Sequence, residues 1–312
     1  MRRTKNYLTV ILLIVLLLMF CSCSSSDKDN KQKNYTFTDA LGNKVTVSNP
    51  LRVVSLFGSF TETWQLAGGN VIAATDDAIN ERKLNLGTGV EIIGTVKAPN
   101  LEKIISLNPD FVILSADISS QVQAAETLRK AGITCAFFKV EHFSDYLDML
   151  SVLTDITGRK DLYKKNGLDI KEEINSIMSK AEKMTSYPKV LYLRAYSTGV
   201  KSKGDDNMVG AMLKDLKAVN IASIYPSLLE NLNIEQIIVA NPDYIFISTM
   251  GAENEAIAEA KKSILTNQAL QSINAIKNNH IYILDKDHFH YKPNTRWAES
   301  YEILYEDLYE NK

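Results

Sequence analysis

A fifteen-residue segment of this chain occurs twice. Leu101-Glu-Lys-Ile-Ile-Ser-Leu-Asn-Pro-Asp-Phe-Val-Ile-Leu-Ser115 returns 133 positions later as Ile234-Glu-Gln-Ile-Ile-Val-Ala-Asn-Pro-Asp-Tyr-Ile-Phe-Ile-Ser248, keeping Glu, Ile-Ile, Asn-Pro-Asp and Ser. A match at a fixed offset marks an internal duplication. Leu101, Ile104 and Ile105, and Ile234, Ile237 and Ile238 in the second copy, fall on one helical face. Pro109 and Pro242 stop each helix, and Asn-Pro-Asp turns the chain. The apolar runs that follow, Phe111-Val-Ile-Leu and Tyr244-Ile-Phe-Ile, suit strands covered on both faces in a parallel sheet. The segment therefore predicts two similar α/β lobes, each with a largely parallel sheet.

Basic Arg2, Arg3 and Lys5 precede an apolar run from Leu8 to Phe20, with small residues around Cys21 and Cys23. That run is shorter than the roughly 20 residues a membrane-spanning helix needs, so it reads as a cleaved secretory signal. An uncleaved membrane anchor is the competing reading, and both put the body outside the cytoplasm. The polar stretch from Ser24 to Lys33 reads as a flexible tether. The remaining chain is long enough for two ordinary domains. A net charge of −2 offers no basic field for nucleic acid. Only Cys135 remains beyond the signal, inside an apolar run, which excludes disulfides and a cysteine metal site there.

Strand and helix patterns alternate along the rest. Tyr35 to Ser48 reads as a β-hairpin about Gly42-Asn43, and Arg52 to Phe57 as the first core strand, leading into a helix that carries Trp64. Ser119–Lys130 and Phe143–Thr157 read as helices, closed by Gly132 and Gly158. Between the two copies, Ile170, Ile174, Ile177, Met178 and Ala181 keep a helical period, so residues 159–184 read as a helix joining the lobes rather than as an ordinary surface helix.

Thr38-Asp-Ala-Leu-Gly-Asn-Lys-Val-Thr-Val, Asn49-Pro50, Arg52-Val-Val-Ser-Leu, Thr61-Glu62, Gly68-Gly69, both Asn-Pro-Asp units and the mid-chain helix together resemble the helical-backbone class of ABC-transporter substrate-binding proteins. That class comprises receptors for iron-siderophores, haem and vitamin B12, and the resemblance covers nearly all of residues 35–312. It implies two Rossmann-like lobes with mostly parallel sheets, joined by one long connecting helix, with the ligand cleft between them. On that frame residues 1–23 are a lipoprotein signal ending at a lipidated Cys23, 24–34 the tether, 35–157 the N-terminal lobe, 158–184 the connecting helix and 185–312 the C-terminal lobe. It further implies a monomeric receptor, lipid-anchored outside the cell membrane, that hands a metal chelate to an ABC permease dimer. A ferric siderophore leads among the ligands, with a corrinoid or haem as the alternative, and the protein needs no cofactor of its own.

Open α/β sheets bind ligands beyond the carboxyl ends of their strands. In the first lobe these ends put Phe57, Trp64 and Asp76 forward. In the second they offer Arg194 and Tyr196, then His288, His290 and Tyr291, then Arg296 and Trp297. Arg194 ends an apolar strand, where a guanidinium needs an anionic partner: a ligand oxygen, or a protein acid such as Asp205. Arg296 with Trp297 offers a cation and an aromatic face for a planar chelate, unless Trp297 is a core residue. His288 and His290 would share one side of a strand-like segment, as a metal pair or as single contacts to a chelate. Glu102 and Glu235 occupy matching places in the two copies. The resemblance makes them salt-bridge partners of permease arginines; otherwise they are simply favourable acids at helix N-termini. No G-x-S-x-G, P-loop, H-E-x-x-H or post-strand G-x-G-x-x-G is present, which leaves a metal-dependent enzyme or an adhesin as the contrasting class.

Overall fold

A computed structural model describes residues 34–311. The expected signal, the lipidated Cys23 and the tether up to Lys33 lie outside the described residues. The chain opens with the antiparallel hairpin Asn34–Thr38 and Lys44–Ser48. Its turn is organised by the buried Asp39, whose carboxylate accepts from the amides of Leu41, Asn43 and, across the fold, Phe137.

The first sheet runs Glu91–Ile92, Ala73–Ala74, Val53–Ser55, Phe111–Ser115, Thr134–Phe138, all parallel. The second runs Gly199–Ser202, Lys189–Tyr196, Tyr244–Thr249, Ile281–Leu284, and is parallel except for its Gly199–Ser202 edge. Short Val219–Asn220 also pairs with the start of Lys189–Tyr196. The duplicated strands sit inside their sheets, and every residue of both is buried, as continuous apolar runs require.

The two copies of the repeat fold alike down to single hydrogen bonds. Asn100 and Asn233 cap the helices Leu101–Ser106 and Ile234–Ala240, accepting from the amides of Lys103 and Gln236. Asn108 and Asn241 take left-handed backbone at φ 47° in both copies, a conformation asparagine tolerates. Asp110 then exchanges two bonds with the residue that opens the neighbouring strand. Its amide donates to Arg52 O at 3.1 Å, and its carboxylate accepts from Arg52 N at 3.0 Å. Asp243 repeats this on Lys189, at 2.8 and 3.0 Å.

From residue 160 to 182 the chain is helical throughout, about 35 Å at α-helical rise: Lys160–Tyr163, a π-helical turn Lys164–Leu168, then Asp169–Glu182. The π turn contains Gly167, where a Cβ would lie 3.0 and 3.1 Å from Leu147 and Leu150. The residue that weakens the helical pattern is thus the one that lets this helix press against Phe143–Thr157. Ile170, Ile174, Ile177 and Ala181 form the buried face, which packs on the closing helix Trp297–Tyr305. One core runs from Phe111 and Ile113 of the first sheet through Tyr146, Ile174 and Trp297 to Tyr192 and Phe246 of the second. The outer faces of the sheets have separate cores, where Ile104 and Ile237 from the two repeats serve the same purpose.

The expected strand Arg52–Phe57 shortens to Val53–Ser55, because Phe57 already caps the next helix. Beyond the strand Tyr244–Thr249 the chain is α-helical over Glu253–Ala260, π-helical over Lys261–Leu265 and 3-10 over Gln268–Leu270. Cys135 lies in the core, and burial pushes its thiol up to about 12. Asp110→Ala and Asp243→Ala each delete charge-assisted bonds to backbone amides. Each should lower unfolding free energy by about 1.5–3 kcal/mol in urea titrations, with similar losses in the two copies.

Candidate functional site

The carboxyl ends of the two sheets converge on one region. Phe57–Gly58 follows the strand Val53–Ser55 there, and a Cβ on Gly58 would sit 2.7 Å from Ala78 N, so only glycine permits the approach. Asp77 fixes it: Oδ2 accepts from Gly58 N and Oδ1 from Thr75 Oγ1, both at 2.6 Å, while burial pushes its carboxyl up. The sequence puts Asp76 forward, but nothing in it distinguishes the buried structural Asp77 from Asp76, which remains partly exposed.

From the second lobe, residues 286–296 reach across. Asn294, buried in a left-handed conformation, donates to Ser59 O and to Glu62 Oε2, both at 2.9 Å. Its carbonyl oxygen accepts from Thr63 Oγ1 at 3.2 Å. Arg82 bonds Glu62 and lies 5.8 Å from the Tyr291 ring centre. Lys292 Nζ approaches Glu141 at 3.8 Å. These bonds join the first-lobe helix Gly58–Leu66 and the Lys139–His142 loop to the segment carrying His290 and Tyr291.

Arg194 ends its strand with Nη2 donating weakly to Tyr192 Oη at 3.4 Å, while Nε is buried without a partner. Among the described residues it forms no ion pair with a carboxylate. Asp205 turns to Lys214 at 3.9 Å instead, so the expected protein partner is absent. The nearby lysines have acids: Lys292 has Glu141 at 3.8 Å, Lys286 has Glu253 at 3.8 Å and Lys139 has Asp117 at 3.3 Å. Arg194 is thus the one of these four cations that has no ion pair among the described residues.

His288 and His290 do not share a side. The segment expected to be strand-like is the short helix Lys286–Phe289, which turns the two rings apart. His288 is held by Asp285 at 2.9 Å and Glu299 at 3.2 Å. His290 faces Arg194, Lys286 and Lys292; burial first, then these positive charges, lower its pKa to about 4. Among the described residues no group of three His, Cys, Asp or Glu side chains could hold a metal ion.

The tryptophans also correct the expectation. Trp64 is 2% exposed, donates to Asn70 O and packs edge-on to Phe111. Trp297 is 1% exposed, packs edge-on to Phe143, and lines a cavity of about 440 Å³ between the connecting helix, His142–Ser144 and Asp205–Asp215. Both belong to the core, where large aromatics bury most area, and neither gives a chelate an open face. Phe57, Tyr196, Tyr291 and Arg296 stay partly exposed. Glu102 and Glu235 are exposed second residues of matching helices, and neither is in an ion pair among the described residues.

Comparison with known proteins agrees with this geometry. The family model described as periplasmic binding protein matches residues 53–288. The uncharacterized ABC transporter substrate-binding lipoprotein YvrC of Bacillus subtilis is 26% identical over 88% of this chain and 85% of its own. Staphylococcus aureus IsdE in complex with heme superposes with a TM-score of 0.69 at 20% identity, over 83% of this chain and 99% of that one. Staphylococcus aureus SirA in complex with staphyloferrin B gives 0.70 at 18% identity, over 88% and 98%. These likenesses establish two lobes around a connecting helix.

His290 supplies a pH signature. Its pKa is about 4 in the folded chain and about 6.5 unfolded, so between these values the unfolded chain binds more protons. Stability should fall as pH drops from about 6.5 towards 4, by roughly 3 kcal/mol at most. Urea midpoints measured across that window should flatten in His290→Gln.

Proposed function

The chain belongs to the periplasmic binding protein family, and on that premise we propose that it is the substrate-binding lipoprotein of an ABC importer, capturing an anionic ferric chelate and passing it to the permease. Family members are substrate-binding transport proteins rather than enzymes. The observation that carries the ligand class is Arg194, a largely buried guanidinium with an unpartnered Nε and no acid of its own. An oxygen-rich anion entering the cleft would give this guanidinium the charge partner it lacks. A ferric siderophore with carboxylate or catecholate oxygens fits that need, and the likeness to SirA supports it. Around Arg194 the contacts would come from Phe57, Asp76, Tyr196, His290 and Tyr291, with Arg296 at the lobe contact.

Haem is the second reading, supported by the likeness to IsdE and by His290, whose imidazole stays neutral at physiological pH and can offer a lone pair to iron. The helix from residue 160 to 182 packs on both lobes, so closure around either ligand should be a small movement. We place Cys23 as the lipidated residue, the body as an extracytoplasmic monomer, and Glu102 and Glu235 as the acids that meet a permease dimer. Two exposed carboxylates at equivalent positions suit a pseudo-twofold partner.

Fluorescence titration against ferric carboxylate and catecholate siderophores, haem, cobalamin and free metal ions tests the reading. Saturable quenching by one siderophore class is expected, with Arg194→Ala weakening it about tenfold to a hundredfold, equivalent to about 1.4–3 kcal/mol. A Soret shift on adding haem, lost in His290→Ala, would move the assignment to haem. Binding of free metal alone, or of nothing, sinks both. In cells, Glu102→Ala with Glu235→Ala should abolish uptake while leaving the titration unchanged.

A further inference from the structure

The two copies of the repeat can be laid on each other strand by strand. Ile113 pairs with Ser55 in the first sheet, and its counterpart Phe246 pairs with Tyr192 in the second. Tyr192 therefore stands where the first lobe has Ser55, Arg194 stands where it has Phe57, and Ser248 repeats Ser115. The backbone pairing is shared, but the polar contacts are not. In the first lobe Ser55 Oγ donates to Phe57 O at 3.2 Å, and Ser115 Oγ accepts from the amide of Asp117 at 3.3 Å, so each serine is satisfied close to itself in the chain. In the second lobe Tyr192 Oη and Ser248 Oγ lie 2.8 Å apart across neighbouring strands, and Arg194 Nη2 reaches Tyr192 Oη at 3.4 Å. The Arg194 side chain has no other hydrogen bond among the described residues.

A guanidinium can only donate. Arg194 therefore takes a lone pair of Tyr192 Oη, and the phenol proton is left for Ser248 Oγ. Alternate residues of a strand face the same way, so Tyr192 and Arg194 share one face while Leu191 and Leu193 fill the core on the other. Tyr192 is fully buried and Ser248 is 1% exposed, so neither touches a ligand in the cleft. Buried hydroxyls are unfavourable unless paired, and the first copy shows that the same strands can be built without this pair. We propose that Tyr192 and Ser248 are positioning residues for Arg194, a buried hydrogen-bond relay found only in the lobe that carries the cation, which fixes the guanidinium before the ligand arrives. The inference rests on the reading of Arg194 as the anion-binding cation and says how that cation is held. A pre-oriented guanidinium loses less freedom when an anion binds it.

The ferric siderophore that saturates in the fluorescence titration serves as the probe. Tyr192→Phe should weaken its binding about threefold to tenfold. Tyr192→Phe combined with Ser248→Ala removes both hydroxyls at once, leaves neither without its mate, and should show the same loss. Neither loss should appear in an Arg194→Ala background, because the relay acts only through that side chain, whereas a packing defect would appear in both backgrounds. In the ligand-free protein carrying isotope-labelled arginine, NMR should show slow rotation of the Arg194 guanidinium, and faster rotation in Tyr192→Phe. Unchanged affinity in Tyr192→Phe, an equal loss in the Arg194→Ala background, or a guanidinium that rotates alike in both proteins would overturn the proposal. Arg194→Ala binding as tightly as the parent protein would overturn the functional reading instead, and the NMR comparison, which needs no ligand, would still decide the relay.

Discussion

Asp110 and Asp243 hold the register of the two sheets. Each stands just after a proline that stops a helix, and each grips both backbone groups of the residue opening the next strand. In a parallel sheet neighbouring strands are far apart in sequence, so no hairpin fixes their alignment. A carboxylate bonded to the amide that starts the adjacent strand supplies that alignment. Once Arg52 and Lys189 are placed, Phe57 and Arg194 follow at fixed distances up their strands, at the carboxyl ends where the lobes meet.

That constraint is legible in the amino-acid sequence alone, because Asn-Pro-Asp occurs twice in the same setting. The central strands, the helices Ser119–Lys130 and Phe143–Thr157, and the buried face of the connecting helix are equally legible, since each is an uninterrupted apolar or helical period. The edge strand Gly199–Ser202 is not, because four mixed residues after a polar turn carry almost no pattern. The close approach at the π turn Lys164–Leu168 is also invisible, since it brings Leu147 and Leu150 of another helix against Gly167.

The site is only partly legible for a related reason. Arg194 stands out because charge at the end of an apolar run is conspicuous. Trp64 and Trp297 have the composition of cleft aromatics yet are core, since the sequence does not say which face of a helix meets the cleft. His288 and His290 are paired by spacing and separated by a short helix. The largest omission is the contact itself, in which Glu62, Arg82 and Asn294 come from three separate stretches. No spacing rule connects a glutamate to an asparagine 232 residues away.

The core shared through the connecting helix also governs the order in which the chain can finish folding. Trp297, Tyr301, Leu304 and Leu308 complete a core that begins with Val45 and Val47, and Tyr301 reaches back to Asp215 at 2.7 Å. Synthesis runs from the first residue to the last, so the hairpin and first sheet emerge long before the helix that closes their core. Until the final fifteen or so residues are released, the connecting helix lacks the closing helix it packs on, and that part of the core stays open. The part of the core that lies between the two sheets is therefore the last that the chain can close.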